Sequence, residues 1–461
     1  MTVLDTHKNK DLGPSAVPLV AGLCLALSVL SVGLGTFLPG FPVIFAGLPA
    51  WVAGLLLWPR VPRRSKLQAM ALSSIGVLGG LFGYAAGGQV IWTEAVAGNA
   101  GLIALLAAVS FLRLITVPQQ DQGVTRPRGP GSAVATLLGV HLFGAVVNLP
   151  TVFLMARHMA RNGRIRREQY SILVKGFAAA AFWSPFFAAM AAALTYAPGA
   201  KFSLLLAFGL PLAVFALLLL LVSIWRGRHS TRVSEPQAPN KLAKNVPVQN
   251  FGPAFEGYPM NLASLWIPGV LALGVLLVHA WQPDLSVLGL ISVLAPSVTV
   301  VTLIVRQRPV VADVTHHLQA GLPAMRAELA LFLSAGLMAA GVASATLAFN
   351  ISLPFSAFGG WEASMLLVGL VAIALIGVHP VIGISLAAAL VAPLSPDPSL
   401  LASTFLAAWG IGIAMSPFSA LNLSMQGTFQ IKASEILRWN LPFGLALLVA
   451  ASTLLLWHPA G

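Results

Sequence analysis

The sequence predicts an all-α, polytopic membrane protein, and three observations carry that prediction. Of its 461 residues, 57% are hydrophobic and only 8% are charged, with a mean hydropathy of +0.87. A soluble domain carries about a quarter charged residues, so this chain lacks the polar surface to face water. Apolar runs long enough to cross a bilayer recur from end to end, with basic residues gathered in loops between them. No series of short alternating segments points to a β-barrel. The third observation is a repeated interruption. Ser-Pro-Phe occurs at 184–186 and again at 416–418, each time in the middle of an apolar run. Proline removes a backbone donor and clashes with the preceding turn, so both helices should break there.

The net charge of +13 follows the positive-inside pattern, and no basic domain exists to hold a nucleic acid. Contact with anionic lipid headgroups is a second consequence. Cys24 is the single cysteine, which excludes an intramolecular disulfide and a cysteine-based metal cluster; it reads as a packing residue.

In chain order, His7, Lys8 and Lys10 precede the first apolar run, and no small-residue cleavage site follows, so a retained helix is expected. Residues 1–38 form this N-terminal extra helix, with Ala16–Leu38 as its span. A Pro39–Gly40 turn leads into Phe41–Trp58. Arg60, Arg63, Arg64 and Lys66 place the next loop in the cytoplasm. Leu67–Ala86 runs outward, Trp92 fits the outer interface, Glu94 falls in a short external loop, and Gly98–Ile115 returns near Arg113. These are the scaffold helices 41–115. The loop 117–132, with Arg126 and Arg128, is again inside.

The stretch 133–159 is apolar but interrupted at Asn148-Leu149-Pro150-Thr151. It exits into Arg157, His158, Arg161, Arg164, Arg166 and Arg167, so both of its ends read as cytoplasmic. A segment entering and leaving on one side is a re-entrant hairpin with a buried tip. The broken helix 171–196 crosses outward through the first Ser-Pro-Phe, and the closing helix 202–225 returns. Repeat 1 is therefore 39–225. A cytoplasmic linker, 226–261, carries Arg226, Arg228, Arg232, Lys241 and Lys244.

Repeat 2 is 262–461. Its scaffold helices, 262–349, comprise Leu262–Trp281, Leu285–Val305 (reaching Arg306 and Arg308), a surface helix within 309–325, and Ala327–Phe349. The hairpin 362–393 is interrupted at Gly377-Val378-His379-Pro380, has no basic residue at either end, and precedes Asp397, so it reads as external. The broken helix 400–427 crosses inward through the second Ser-Pro-Phe towards Lys432 and Arg438, and the closing helix 441–457 goes out. About eleven transmembrane helices and two hairpins result. Pro150 to Pro185 is 35 residues and Pro380 to Pro417 is 37; the halves are offset by 230 and 232. With one hairpin inside and one outside, the repeats have inverted topology. The N-terminus is expected in the cytoplasm and the C-terminus outside, in a cytoplasmic membrane.

Hairpin, broken helix and closing helix, twice and inverted, resemble the divalent anion/sodium symporter family of the ion transporter superfamily. Those transporters carry Ser-Asn-Thr at each tip and Thr-Pro or similar at each break. Val147-Asn148-Leu149-Pro150-Thr151 keeps the asparagine and a nearby threonine, while Val378-His379-Pro380 has histidine. Ser184-Pro185 and Ser416-Pro417 resemble the break motif, with Ser419 and Asn422 beyond the second. The resemblance implies an elevator, in which hairpins and broken helices slide against the scaffold, and a homodimer built through that scaffold. It implies substrate contacts at Asn148, Leu149, Pro150, Thr151, Ser184, Pro185, His379, Pro380, Ser416, Pro417, Ser419 and Asn422. At most one sodium site is expected, at Asn148 and Ser184.

The residues themselves support part of this. Helix ends at tips and breaks expose unpaired N–H and C=O groups. Their N-terminal ends favour anions, and unwound carbonyls with Ser, Thr or Asn oxygens suit a small cation. No acidic residue lies well inside a predicted transport helix, which favours an anionic or neutral solute. Asn148 is either a ligand or a hairpin-turn cap, and Ser416 is favoured over Ser184 because Ser419 and Asn422 accompany it. His379 is a substrate hydrogen-bond partner, a proton carrier or a packed neutral imidazole. Ion coupling would rest on Asn148, Ser184 and His379. His141 reads as structural, and Glu328 and Glu362 as helix N-terminal caps.

The leading function is secondary active transport of a small organic anion on a sodium or proton gradient, with no resident cofactor or metal. Its expected partners are the solute, the lipid bilayer and a second copy of the chain. A membrane-embedded enzyme acting on a lipid-linked substrate is the rival class, but it would need clustered acidic residues near an interface, and no such pair is visible. No Gly-x-Ser-x-Gly motif and no phosphate-binding Gly-x-x-x-x-Gly-Lys-Ser/Thr loop occur. An anion channel or exporter of the same superfamily remains a further alternative.

Overall fold

A chain this apolar must satisfy its backbone within itself, and in lipid that leaves helices or a closed barrel. The computed structural model describes residues 16–88, 92–116, 126–232, 255–259, 266–349 and 356–459, and the regular structure among them is helical. His7, Lys8, Lys10, Lys241 and Lys244 lie outside these residues.

The first half begins with α1 (Ala16–Phe37) and α2 (Ile44–Leu57), followed by α3 (Arg63–Ala85) starting in the basic cluster. Then come α4 (Trp92–Ala97), α5 (Ala100–Phe111) and α6 (Arg113–Thr116). The first hairpin is α7 (Pro130–Val147) and α8 (Leu149–Met159), joined by Asn148 alone, at φ 64°. The first broken helix is α9 (Arg167–Ala180) and α10 (Ala188–Tyr196), and α11 (Phe202–Arg232) closes the half.

The second half has α12 (Trp266–Trp281), α13 (Val287–Val305), α14 (Val310–His316) and α15 (Arg326–Ala348). The second hairpin is α16 (Gly360–Leu375) and α17 (Pro380–Val391). The second broken helix is α18 (Pro398–Met415) and α19 (Ala420–Phe429), and α20 (Ala433–Leu456) follows. Among the described residues, nine stretches are long and apolar enough to cross a bilayer, so this is a multi-pass membrane protein.

Burial separates core from periphery. An apolar 18-residue segment within Pro398–Phe429 is 94% buried, whereas the corresponding segment within Arg63–Ala85 is 28% buried. The interrupted helix is therefore central. The peripheral helices turn Leu30, Leu55, Leu81 and Val449 outward, an apolar coat suited to lipid. Small residues let α3 and α15 pack backbone to backbone: Gly76 faces Leu337 and Gly79 faces Gly341.

Three boundaries differ from expectation. Residues around Glu94 form α4, not a loop; it folds back onto the protein, where Trp51 Nε1 donates to Val96 O at 3.1 Å. α20 starts at Ala433, because Glu435 accepts from the Lys432 amide at 2.9 Å and caps it. The surface helix within 309–325 starts as α14 and runs on inward through a π-helical turn, His317–Gly321, and a 3-10 turn, Pro323–Met325; there His317 is buried, with its Nε2 2.9 Å from Ser110 Oγ.

Residues 255–259 of the linker are strapped to the first hairpin. Gly129 N donates to Phe255 O at 2.8 Å, and Gly257 N donates to Pro127 O at 2.9 Å. A Cβ at Gly257 would collide with Ser132 and Thr136, so only glycine lets the strap lie this close. Tyr258 N donates to Thr136 Oγ1 at 3.0 Å.

Candidate functional site: two helix breaks tied to two hairpins

Each proline break frees backbone groups, and in each half the preceding serine helps to satisfy them. At the first break, Ser184 Oγ donates to Ala145 O on α7, and Phe186 N donates to Ser184 Oγ at 3.2 Å. Asn148 Nδ2 donates to Phe186 O at 3.1 Å, closing a loop of bonds between hairpin tip and break. At the second, Ser416 Oγ donates to Ala374 O on α16 at 2.6 Å, and Phe418 N donates to Ser416 Oγ at 3.1 Å. The two breaks use the same pair of bonds.

Asn148 makes no side-chain cap on α8; its amide donates instead to Phe186 O across the break. Leu149 and Pro150 open α8, and the Thr151 amide donates to Asn148 O at 3.2 Å. Pro150 and Thr151 line an apolar cavity of about 60 Å³, with Phe143, Val147, Leu154, Met155, Thr116 and Tyr258. No residue of the second tip lines it.

The second break is the more polar. Ser419 caps α19 by accepting from the Asn422 amide at 3.3 Å, and its hydroxyl donates to Ile413 O at 3.2 Å. Asn422 Nδ2 donates to Ser416 O at 2.9 Å, and Gln426 Nε2 donates to Pro417 O at 2.5 Å. These side chains replace the bonds that Pro417 removes.

His379 caps α17: its Nδ1 accepts from Val381 N at 3.3 Å. That bond requires an Nδ1 without a proton. Trp409 on α18 meets it edge to face at 5.6 Å, and Phe332 lies at 6.1 Å. Pro380 packs towards Gly412. Gly377 is at φ 99°, and a Cβ there would lie 3.3 Å from Phe418 and 3.7 Å from Arg64 Nη2. The second tip thus meets the second break and the basic start of α3.

The predicted residues therefore form two groups. Asn148, Ser184 and Pro185 share the first tip and break, with Pro150 and Thr151 alongside; Ser416, Pro417, Ser419 and Asn422 share the second, which the His379–Pro380 tip adjoins. The broken helices join the groups. Phe182 stands against Gly410, where a Cβ would overlap its ring, and Gly410 neighbours the Trp409 that faces His379. Tyr170 OH donates to Asn422 Oδ1 at 2.7 Å. Both pairs hold the same antiparallel register, twelve residues apart on each helix.

His141 is structural as expected: Nδ1 bonds Gly176 O at 3.1 Å, and Trp183 Nε1 donates to Nε2 at 3.1 Å. Glu362 accepts from Gly359 N at 2.9 Å and opens α16.

Sequence reasoning missed Tyr170, Lys175 and Asn440. Asn440 Nδ2 donates to Tyr170 OH at 3.0 Å and to Ala414 O at 2.7 Å, and Lys175 Nζ donates to Trp439 O at 3.0 Å. A lysine five residues into an apolar stretch was a visible signal; the partners were not.

On the strap, Glu256 is paired with Arg128 at 3.0 Å and with Arg161. Its side chain is 12% exposed. Burial pushes its carboxyl up, but the hydrogen bond and charge of Arg161, with the charge of Arg128, outweigh that and hold it below the usual carboxylate value.

No protein-family description matches the sequence, and no curated protein matches it. Among solved structures, that of the YdaH transporter of Alcanivorax borkumensis is similar over 84% of this chain and 83% of that one, at 15% identity and a TM-score of 0.38.

Proposed function

We propose that this multi-pass membrane protein is a secondary active transporter of a small organic anion, working by an elevator mechanism. The observation that carries the reading is the matched pair of breaks, each bonded through its serine to a hairpin arm, at Ala145 and at Ala374. Interrupted helices at corresponding places in two halves are the usual setting of a transporter's binding site. Tip and break move as a unit when hydrogen bonds hold them, as an elevator requires. Helix N-termini at Leu149, Ala188, Pro380 and Ala420 gather around the breaks and favour negative charge.

The driving gradient is sodium or proton, and the working form is a homodimer in a cytoplasmic membrane, joined through the scaffold. Asn148 and the carbonyls of the first break supply oxygen ligands suited to sodium. The test is a thermal-shift screen of purified protein against carboxylates, amino acids and inorganic anions, with and without sodium, followed by uptake into proteoliposomes. Stabilisation by carboxylates is expected; stabilisation by none of the anions would overturn the reading. An enzyme acting on lipid-linked substrates is the lesser reading. Among the described residues no cluster of acidic, His or Cys side chains forms a metal site for it.

A further inference from the structure

Lys175 is a lysine inside the protein, only 8% exposed, in the middle of α9. Its Nζ donates to Trp439 O at 3.0 Å and lies 5.3 Å from the centre of the Phe443 ring. Among the described residues it forms no ion pair. A buried ammonium with one neutral carbonyl for company is costly, and such groups give up their charge or acquire a counter-ion. The closed arrangement seen here suits the neutral amine. The charged form calls for an anion.

The fold sets that lysine beside the second break. Tyr170, five residues before Lys175 on α9, bonds Asn422 just beyond the second break, and α9 packs against α18, which ends at that break. α20 fills the third side: Asn440 Nδ2 holds Ala414 O at 2.7 Å, one residue from the Trp439 carbonyl that receives Lys175. Asn440 is fully buried, and its Oδ1 has no hydrogen-bond partner.

The neighbouring ionisable groups supply no fixed counter-ion. α9 itself carries Arg167 and Glu168 in its first turn; α7 contributes His141, already bound to Gly176 O. α8 contributes Arg157 and His158, α11 Arg226, and α20 Glu435 and Arg438 near its start, while α18 has none.

We propose that Lys175 couples anion movement to a proton, by charging when a small carboxylate occupies the second break and discharging when it leaves. The proposal rests on the anion-transporter reading and deepens it. On loading, a proton from the aqueous side adds to the Nζ lone pair, and the ammonium faces the carboxylate. On release the N–H bond breaks, the proton passes to water on the other side, and the amine returns to Trp439 O. One proton crosses per cycle. Neither ligand binds well without the other, which is the thermodynamic condition for symport.

The test uses the full chain in liposomes loaded with a pH-sensitive dye, with radiolabelled succinate, malate, citrate and aspartate as probes. Wild type should take up at least one of them faster under an inward proton gradient, with protons entering alongside. Lys175→Arg fixes the charge; it should keep exchange of labelled for unlabelled anion within about threefold and lose gradient-driven net uptake at least tenfold. Lys175→Met should lose both, and if it fails to fold, Lys175→Arg decides. Net, proton-linked uptake at the wild-type rate in either variant overturns the proposal. Wild-type uptake that moves no protons overturns it alone, whereas a wild type that moves none of the four anions overturns the transporter reading as well.

Discussion

Tyr170 and Asn422 stand 252 residues apart in sequence, yet the tyrosine hydroxyl donates to the asparagine carbonyl at 2.7 Å inside the protein. The bond ties the first broken helix to the second. Asn440 adds a third strand to the knot by donating to the same hydroxyl at 3.0 Å. Tyr170→Phe keeps the ring that packs edge-on against Trp439 and removes only the hydroxyl, leaving Asn422 Oδ1 without its donor. Side-chain hydrogen bonds within membranes contribute about 0.6 kcal/mol on average and up to about 1.7. A shared, fully buried one should lie at the upper end, so the variant should lose about 1–2 kcal/mol in reversible unfolding from detergent micelles. A loss below about 0.3 kcal/mol would show that the link is incidental.

The two break serines lead to a paired prediction. Each hydroxyl donates to a hairpin carbonyl and accepts the amide two residues on, so alanine removes the tie to the hairpin and the side-chain acceptor of that amide. Ser184→Ala and Ser416→Ala should each cost about 1–3 kcal/mol. Melting temperature is the readout. Unchanged melting with abolished transport would mean that the hydroxyls serve the solute and not the hairpin.

The prolines made the hairpins and breaks legible from sequence. The expected tip at Asn148-Leu149-Pro150 and the breaks after Ser184 and Ser416 stand where a missing N–H must interrupt a ladder. The mutual register of the two broken helices was not legible, because Phe182 against Gly410 and Tyr170 against Asn422 are choices of tertiary packing with no local signal. Lys175 differs. Its burial could have been suspected from the apolar residues around it, but the carbonyl of Trp439, 264 residues on, could not. The strap at 255–259 was hidden for a similar reason: a polar linker gives no hint that Glu256 will find Arg128 and Arg161.

That strap responds to acid. The Glu256 carboxyl is held below its ordinary value near 4.3. The contribution of its pairing is fully present above that ordinary value and is lost as pH falls through the lower, folded value. Lowering the pH from 5 to about 3 should therefore speed hydrogen exchange at the Gly129 and Gly257 amides, corrected for intrinsic rate, while the centre of α18 stays protected. Glu256→Gln should show the faster exchange already at neutral pH. Gly257→Val should release the strap at every pH, since its side chain has nowhere to go. Protection at Gly257 that survives in either variant would remove the ion pairs, or the close fit, as its cause.

Hairpin orientation is open to labelling. In a Cys24→Ser background, a cysteine at Arg164 should react with an impermeant maleimide only from the cytoplasm, and one at Pro393 only from outside. Both side chains are exposed. Reaction of both from the same side would remove the inverted repeat, and with it the elevator.

The last prediction concerns His379, for which the sequence leaves three readings, ligand, proton carrier or packed ring. Its Nδ1 caps α17 by accepting from Val381 N, and its ring is held between Trp409 and Phe332. Protonation would turn that acceptor into a donor and break the cap, so the geometry favours a ring that stays neutral. Asparagine is a good N-cap and leucine is not. His379→Asn should therefore melt within about 0.5 kcal/mol of wild type, while His379→Leu should lose about 0.5–2 kcal/mol, the usual cost of a lost cap. The pH dependence of uptake should survive in His379→Asn, because the cap works only with an unprotonated Nδ1. A flattened pH profile in that variant, with normal melting, would return the coupling role to His379.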